Sequence, residues 1–191
     1  MSFNSIGYKI KLIQKDICKD STDHALTYIY KFFSPKTKLN YVIRAEYHSV
    51  DIFIVKFYVQ SLYKSFYRYS IVTNRGDLAN IVITCCSIVP ELLIEYPTAS
   101  FGFMGGRSVD HKSKNKKTKQ KRAESLENNQ RFRIYSRIAA LKFGTKTFRH
   151  IEYENISSYL LLNNYNINQS NLEEQIKTSL ISTYPDLLNY L

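Results

Sequence analysis

Tryptophan is absent from this chain, proline and glycine are scarce at 4 and 6 of 191 residues, and cysteine occurs three times. Cys18, Cys85 and Cys86 fall at no metal-ligand spacing. The adjacent pair lies in an apolar segment, where cysteine serves as a small core residue. The four histidines, His24, His48, His111 and His150, are scattered, with no partner at ligand spacing, so no metal site is read from the sequence. There is no P-loop, no Ser-His-Asp or Cys-His order and no pair of carboxylates that stands out, which speaks against a metal-dependent or hydrolytic enzyme. No N-terminal apolar core precedes a cleavage-like site, and no apolar run approaches about 18 residues. These absences give the expectation of a cytoplasmic, reduced protein that makes no use of a membrane.

Acidic residues are also short, 16 against 27 Lys and Arg, for a net charge of +11. The excess is local. Residues 105–122 hold eight Lys and Arg against one Asp, which is +7 of the total. A concentration of this kind favours a polyanion partner, RNA or DNA first. Lys112, Lys114, Lys116, Lys117, Lys119, Lys121 and Arg122 can displace counterions from phosphates without reading sequence. The run has no aromatic between its cations, so it offers charge but no base stacking. The alternative is a solvated charge run with no ligand. Farther up the chain, Tyr63, Phe66, Tyr67 and Tyr69 alternate with Lys64 and Arg68. They read either as a stacking face or, in the simpler view, as the core and surface sides of one strand.

With 44% hydrophobic residues the chain is long enough for one core without disulfides. Alternation predicts strands at residues 8–13, 39–47, 51–59 and 66–72, the last three as an antiparallel meander. Apolar spacing at Ala25, Leu26, Ile29, Tyr30 and Phe33 predicts a helix over 23–33. Residues 78–96 read as a buried helix kinked or broken at Pro90, and 99–104 as an interior strand. A helix over 130–143, ended by Gly144, precedes strands at 147–153 and 157–162. Ser170 to Glu173 reads as a capping box opening a C-terminal helix. The fold class is α+β: one mixed sheet flanked by helices over residues 1–165, with a basic insertion at 108–127 and a helical extension over 166–191. In that extension Leu172, Ile176 and Leu180 form a stripe that reads as core or as a docking surface.

The predicted order, strand, helix, three strands, helix, strand, helix, two strands, resembles the GNAT acetyltransferase superfamily. In that superfamily the sheet splays between its fourth and fifth strands to admit acetyl-coenzyme A. Asn128, Arg131, Ile134 and Tyr135 stand at the spacing of the family's Asn-x-x-Ala-x-x-Leu-Tyr helix, and the resemblance implies Tyr135 as general acid. The family's phosphate turn, Gln/Arg-x-x-Gly-x-Gly/Ala, corresponds here to Asn74-Arg75-Gly76-Asp77-Leu78-Ala79. Asp77 is expected to cap the following helix and to occupy the anion position itself, leaving no ordinary coenzyme A binding and no cofactor. The chain is also similar to a family of small uncharacterised bacterial proteins with the pattern Thr-Asn-x-Gly-Asp, Phe-x-x-Gly, Arg-x-Arg-Leu-Tyr. It shows Thr73 to Asp77, Phe101 to Gly105 and Arg131 to Tyr135.

Ligands of open α/β sheets collect beyond the carboxyl ends of the strands. The candidate ligand-binding set is therefore Asn74, Gly76 and Asp77 at the strand-to-helix turn, with Arg107, Arg131 and Arg133 beside the next strand's end, the arginines gripping phosphate or carboxylate. Tyr135 is the candidate proton donor. The competing reading makes Asp77 a cap, pairs Arg131 with Asp77 or Glu127, and buries Tyr135 as core. The leading expectation is a protein that binds a polyanion, RNA or DNA, without ordinary coenzyme A binding. The runner-up is a GNAT-type N-acyltransferase using acetyl-coenzyme A with an aberrant phosphate turn, and the third is a partner-binding or self-associating component, as in toxin–antitoxin or phage-defence systems, acting through the C-terminal helix.

Overall fold

The computed structural model describes residues 7–18, 24–71, 75–104, 125, 127–167 and 170–183. Four strands open the fold: β1 (Lys11–Ile17), β2 (His24–Ser34), β3 (Leu39–His48) and β4 (Ile52–Val59). A 3-10 turn at Gln60–Leu62 follows, then α1 (Leu78–Cys86), α2 (Ile88–Glu95), β5 (Ser100–Met104) and α3 (Gln130–Lys142). The described chain closes with β6 (Phe148–Tyr153), a 3-10 turn at Glu154–Ile156, β7 (Ser158–Asn163) and α4 (Leu172–Thr183). The strands form one sheet in the order β1-β2-β3-β4-β5-β7-β6. Every neighbouring pair is antiparallel except β4 and β5. The class is α+β with a single mixed sheet.

Two expectations for the first half are corrected. Residues 23–33 are not a helix; they supply β2, the longest strand, paired along its length with β3. Tyr28, Tyr30 and Phe32 alternate into the core, and Phe32 stacks on Tyr41 of β3 at 5.2 Å. This period of two outweighs the period of 3.6 because an aromatic and β-branched segment gains cross-strand packing that a lone helix lacks. Phe33, assigned to the helical apolar face, is half exposed instead. Residues 66–71 are not an extended strand: turn bonds such as Ser65 N–H to Leu62 O (2.8 Å) and Ser70 N–H to Tyr67 O (2.8 Å) hold the segment, and of these residues only Ile71 makes a bridge. Val72, the last of the expected strand, lies outside the described residues. The meander is β1 to β4.

The side chains of the sheet divide between two layers. Tyr28, Ile43, Phe53, Val55, Phe101 and Leu161 meet Val82, Cys85, Val89, Phe132 and Ile138 of α1, α2 and α3. Cys85 and Cys86 are buried there, and burial pushes the Cys86 thiol up to about 12. On the opposite face, Ile52, Ile54, Leu160 and Leu162 are covered by Leu172 and Ile176 of α4, with Leu180 packed alongside. The C-terminal stripe thus packs on its own sheet, where each such buried aliphatic contributes roughly 1.5–3 kcal/mol. Glu173 departs from the expected capping box: it bonds the Tyr153 hydroxyl at 2.5 Å and pairs with Lys177 and Arg149.

Leu78–Glu95 is 18 residues long and apolar enough to cross a membrane by composition, contrary to the reading that no run comes near that length. Half of it is buried in the protein. It breaks at Ser87, three residues before Pro90, because proline has no N–H to return to the Cys86 carbonyl. Ser87 closes the first piece by donating its N–H to Ile83 and Thr84.

Candidate functional site

β4 and β5 pair over four residue pairs only, from Ile52 with Ser100 to Val55 with Phe103. Beyond Val55 the β4 backbone runs on to Val59 without β5 beside it. A cleft of about 110 Å³ opens there. Phe57 and Val59 form its floor, Arg68 and Arg75 its rim, and the first residues of α1 and α3 its sides. Helix N-termini carry unpaired N–H groups and a partial positive charge, so this end of the sheet is suited to an anion.

Asp77 does not cap α1. Its carboxylate lies away from the helix amides, accepting bonds from the Tyr8 hydroxyl (2.8 Å), the Ser34 hydroxyl (2.5 Å) and the Asn80 side-chain amide (2.8 Å). Two of these donors are 69 and 43 residues away in sequence, so nothing local marks the arrangement. Burial and the neighbouring carboxylate raise the Tyr8 hydroxyl above its ordinary pKa, which keeps it a donor. The expectation that Asp77 fills the anion position is corrected: the carboxylate ties the N-terminal segment, β2 and α1 together and is 3% exposed. Gly76 is needed for its backbone, at φ +68°, and among the described residues other than its chain neighbours no atom lies within 4 Å of where a Cβ would stand. Its carbonyl accepts from Lys36 Nζ at 2.7 Å.

The arginines are held by backbone carbonyls. Arg131 donates to Tyr69 O and, at 3.0 Å, to Ile71 O, and its guanidinium lies 5.7 Å from the Phe57 ring centre. It therefore moors the loop after β4 to the start of α3 while lining the cleft. Arg75 donates to Thr37 O, and Arg133, exposed, to Asn128 O. Asn129 accepts from Phe132 N–H at 2.9 Å and caps α3. Asn128 precedes it at φ +46° and does not form part of the cleft lining.

Tyr135 is 3% exposed. Its ring rests 5.5 Å from Phe103 and 6.5 Å from Phe57, over the point where β4 and β5 separate. Burial drives its hydroxyl pKa well upward, so it holds its proton. It lies in the core beneath the cleft and is not among the lining residues. The structure therefore gathers Gly76, Asp77 and Arg131 around one cleft with Tyr135 below it, and sets Arg133 outside. Asn74, Arg107, Lys112, Lys114, Lys116, Lys117, Lys119, Lys121 and Arg122 lie outside the described residues. Sequence reading missed Arg68, Arg75 and Gln130 as lining residues; the signal was present in Arg75 beside Gly76 and Gln130 beside Arg131.

Among the described residues, no group of three or more His, Cys, Asp or Glu is placed to hold a metal ion. No protein-family model, no curated protein and no solved structure matches the chain.

Proposed function

We propose that the protein is a GNAT-like, cytoplasmic N-acyltransferase that takes an acyl-coenzyme A in the cleft beyond Val55 and Phe103. The observation that carries this reading is the parting of β4 and β5, the only parallel pair of the sheet, at a cleft bordered by two helix N-termini. The strand order also supports it, since the GNAT resemblance calls for a splay between the fourth and fifth strands. So does Asp77, whose carboxylate is turned to Tyr8 and Ser34 and leaves α1 without a side-chain cap. Amide groups freed in this way suit phosphate. Tyr135, buried beneath the cleft and outside its lining, shapes the cleft through its packing on Phe57 and Phe103 and does not reach a bound thioester. The experiment is thermal unfolding with millimolar acetyl-coenzyme A. A ligand at 100 times its dissociation constant stabilises the folded state by about 2.7 kcal/mol. A rise in Tm is the expected result, and an unchanged Tm sinks the reading.

A second reading, binding of RNA or DNA as a polyanion, is favoured by the +7 charge packed into residues 105–122. That segment lies between the end of β5 at Met104 and the start of α3, whose Gln130 and Arg131 line the cleft.

A further inference from the structure

Residues 63–70 form a run of turns whose end, Arg68 and Tyr69, lies against Tyr58 of β4, while the aromatics before it face outward. Tyr63, Phe66 and Tyr67 are 55%, 90% and 53% exposed. The backbone beneath them is firmly held by its own turn bonds and by Arg131, which grips the carbonyls of Tyr69 and Ile71. Phe66 and Tyr67 meet edge to face, with ring centres 5.2 Å apart and planes at 88°, and so present two differently oriented faces. Cations alternate with them. Lys64 Nζ lies 5.5 Å from the Tyr63 ring centre. Arg68 stacks over Tyr69 at 4.9 Å, donates to Tyr63 O at 3.0 Å, and has a buried Nε that meets no acceptor among the described residues. Residues 52–76 contain four Lys and Arg and no Asp or Glu.

We propose that residues 63–68 form a stacking platform for single-stranded nucleic acid. Tyr63, Phe66 and Tyr67 supply faces for bases, and Lys64 and Arg68 meet the phosphates. The proposal rests on the polyanion reading and narrows it to a substrate class. The lysine-rich run at 105–122 has charge but no Phe, Tyr or Trp to receive a base, whereas here rings and cations alternate, the combination that binds unpaired strands with little regard to sequence. Duplex DNA keeps its bases stacked on one another and cannot use these rings. A bilayer is the poorer match because the segment has no aliphatic side chain, and Leu62 just before it packs against the core instead of facing out.

The test uses the full chain and fluorescence anisotropy with labelled oligouridine, oligothymidine and a DNA duplex over a salt series. Vesicles of phosphatidylcholine and phosphatidylserine form a separate arm. Tighter binding of the single strands than of the duplex is expected. Phe66→Ala and Tyr67→Ala should each weaken single-strand binding by about tenfold with the salt slope, the Tm and the response to acetyl-coenzyme A unchanged. Phe66→Tyr should restore it, and Lys64→Gln should flatten the salt slope by about 0.7. Equal affinity for duplex and single strand overturns the platform and leaves only the charge of the polyanion reading. Full single-strand affinity in both alanine variants overturns it as well. Vesicle binding that Phe66→Ala abolishes assigns the rings to a membrane, and no binding of any nucleic acid removes both the platform and the polyanion reading.

Discussion

Along β4, the side of the sheet that faces away from the aromatic core changes character halfway. Ile52 and Ile54 lie under α4 with Leu172 and Ile176, in a small apolar layer. Lys56 and Tyr58, the next two on that side, have charge and aromatic cover instead. Lys56 Nζ reaches Glu46 at 2.5 Å, and Arg44 approaches the other carboxylate oxygen at 3.3 Å. Tyr69 and Arg68 from the following loop close over Tyr58 at 5.4 and 5.5 Å. One strand thus solves the same problem twice. Where a helix covers the sheet, burial of methyl groups is enough. Where a loop covers it, a carboxylate must offset the cost of burying an ammonium, and burial still pulls the Lys56 pKa downward.

The largest expected effect breaks the charged half. Glu46→Ala leaves Lys56 and Arg44 without that carboxylate, and removing one partner of a buried pair costs about 3–5 kcal/mol. Urea unfolding measures it. The double variant Glu46→Leu with Lys56→Met should recover most of the loss, because an apolar pair of similar size matches or exceeds a buried ion pair. A cost below about 1 kcal/mol for Glu46→Ala would place this half among solvated surfaces and dissolve the contrast.

The covered half is tested by its tightest contact. A Cβ added at Gly102 would stand 2.6 Å from Ile54 Cδ1. Ile54 is itself fully buried, so Gly102→Ala should cost about 1–3 kcal/mol by overpacking. Ile54→Val removes the clashing atom, and the double variant should lose less than the two single costs added together. Strict additivity in urea midpoints would mean that the layer has slack.

The smallest effect concerns how α4 is pinned. The Tyr153 hydroxyl bonded to Glu173, followed by Lys177, holds the Glu173 carboxyl below its ordinary value of 4.5. A carboxylate with a lowered folded pKa contributes stability that is complete above the unfolded value and is lost as pH falls through the folded one. Glu173→Gln should therefore reduce stability by a few tenths to about 1 kcal/mol near neutrality and by less at acid pH. A difference between the two proteins that does not shrink on acidification would show that Glu173 acts through packing.

Much of the second half of the fold was legible. Pro90 announced the helix break, and the short apolar run 99–104 gave β5. The first half misled where two periods competed: the spacing of Leu26, Ile29 and Phe33 fits a helix, yet Tyr28, Tyr30 and Phe32 took the strand. The alternation of residues 66–72 satisfied a strand pattern, but β5 occupies the edge of β4 that a further meander strand would take, and Arg131 at the start of α3 holds the loop through the carbonyls of Tyr69 and Ile71. Position served well for the site and pairing poorly. Gly76, Asp77 and Arg131 do meet at one cleft, while the donors to Asp77 come from Tyr8 and Ser34, which only the folded chain brings near.

The parallel pairing of β4 with β5 also sets a timetable. β1 to β4 join through local hairpins, which close early, whereas β5 leaves the ribosome about 40 residues after β4 is complete. At roughly 5–20 residues per second, the Ile52–Val55 edge waits several seconds with its N–H and C=O groups unpaired. Such an edge is a template for a neighbouring nascent chain. Lys56, set in the middle of the run Ile-Phe-Ile-Val-Lys-Phe-Tyr-Val, is the gatekeeper that interrupts it. The ammonium that is costly to bury in the finished protein is the one charge in this run while its edge is still exposed.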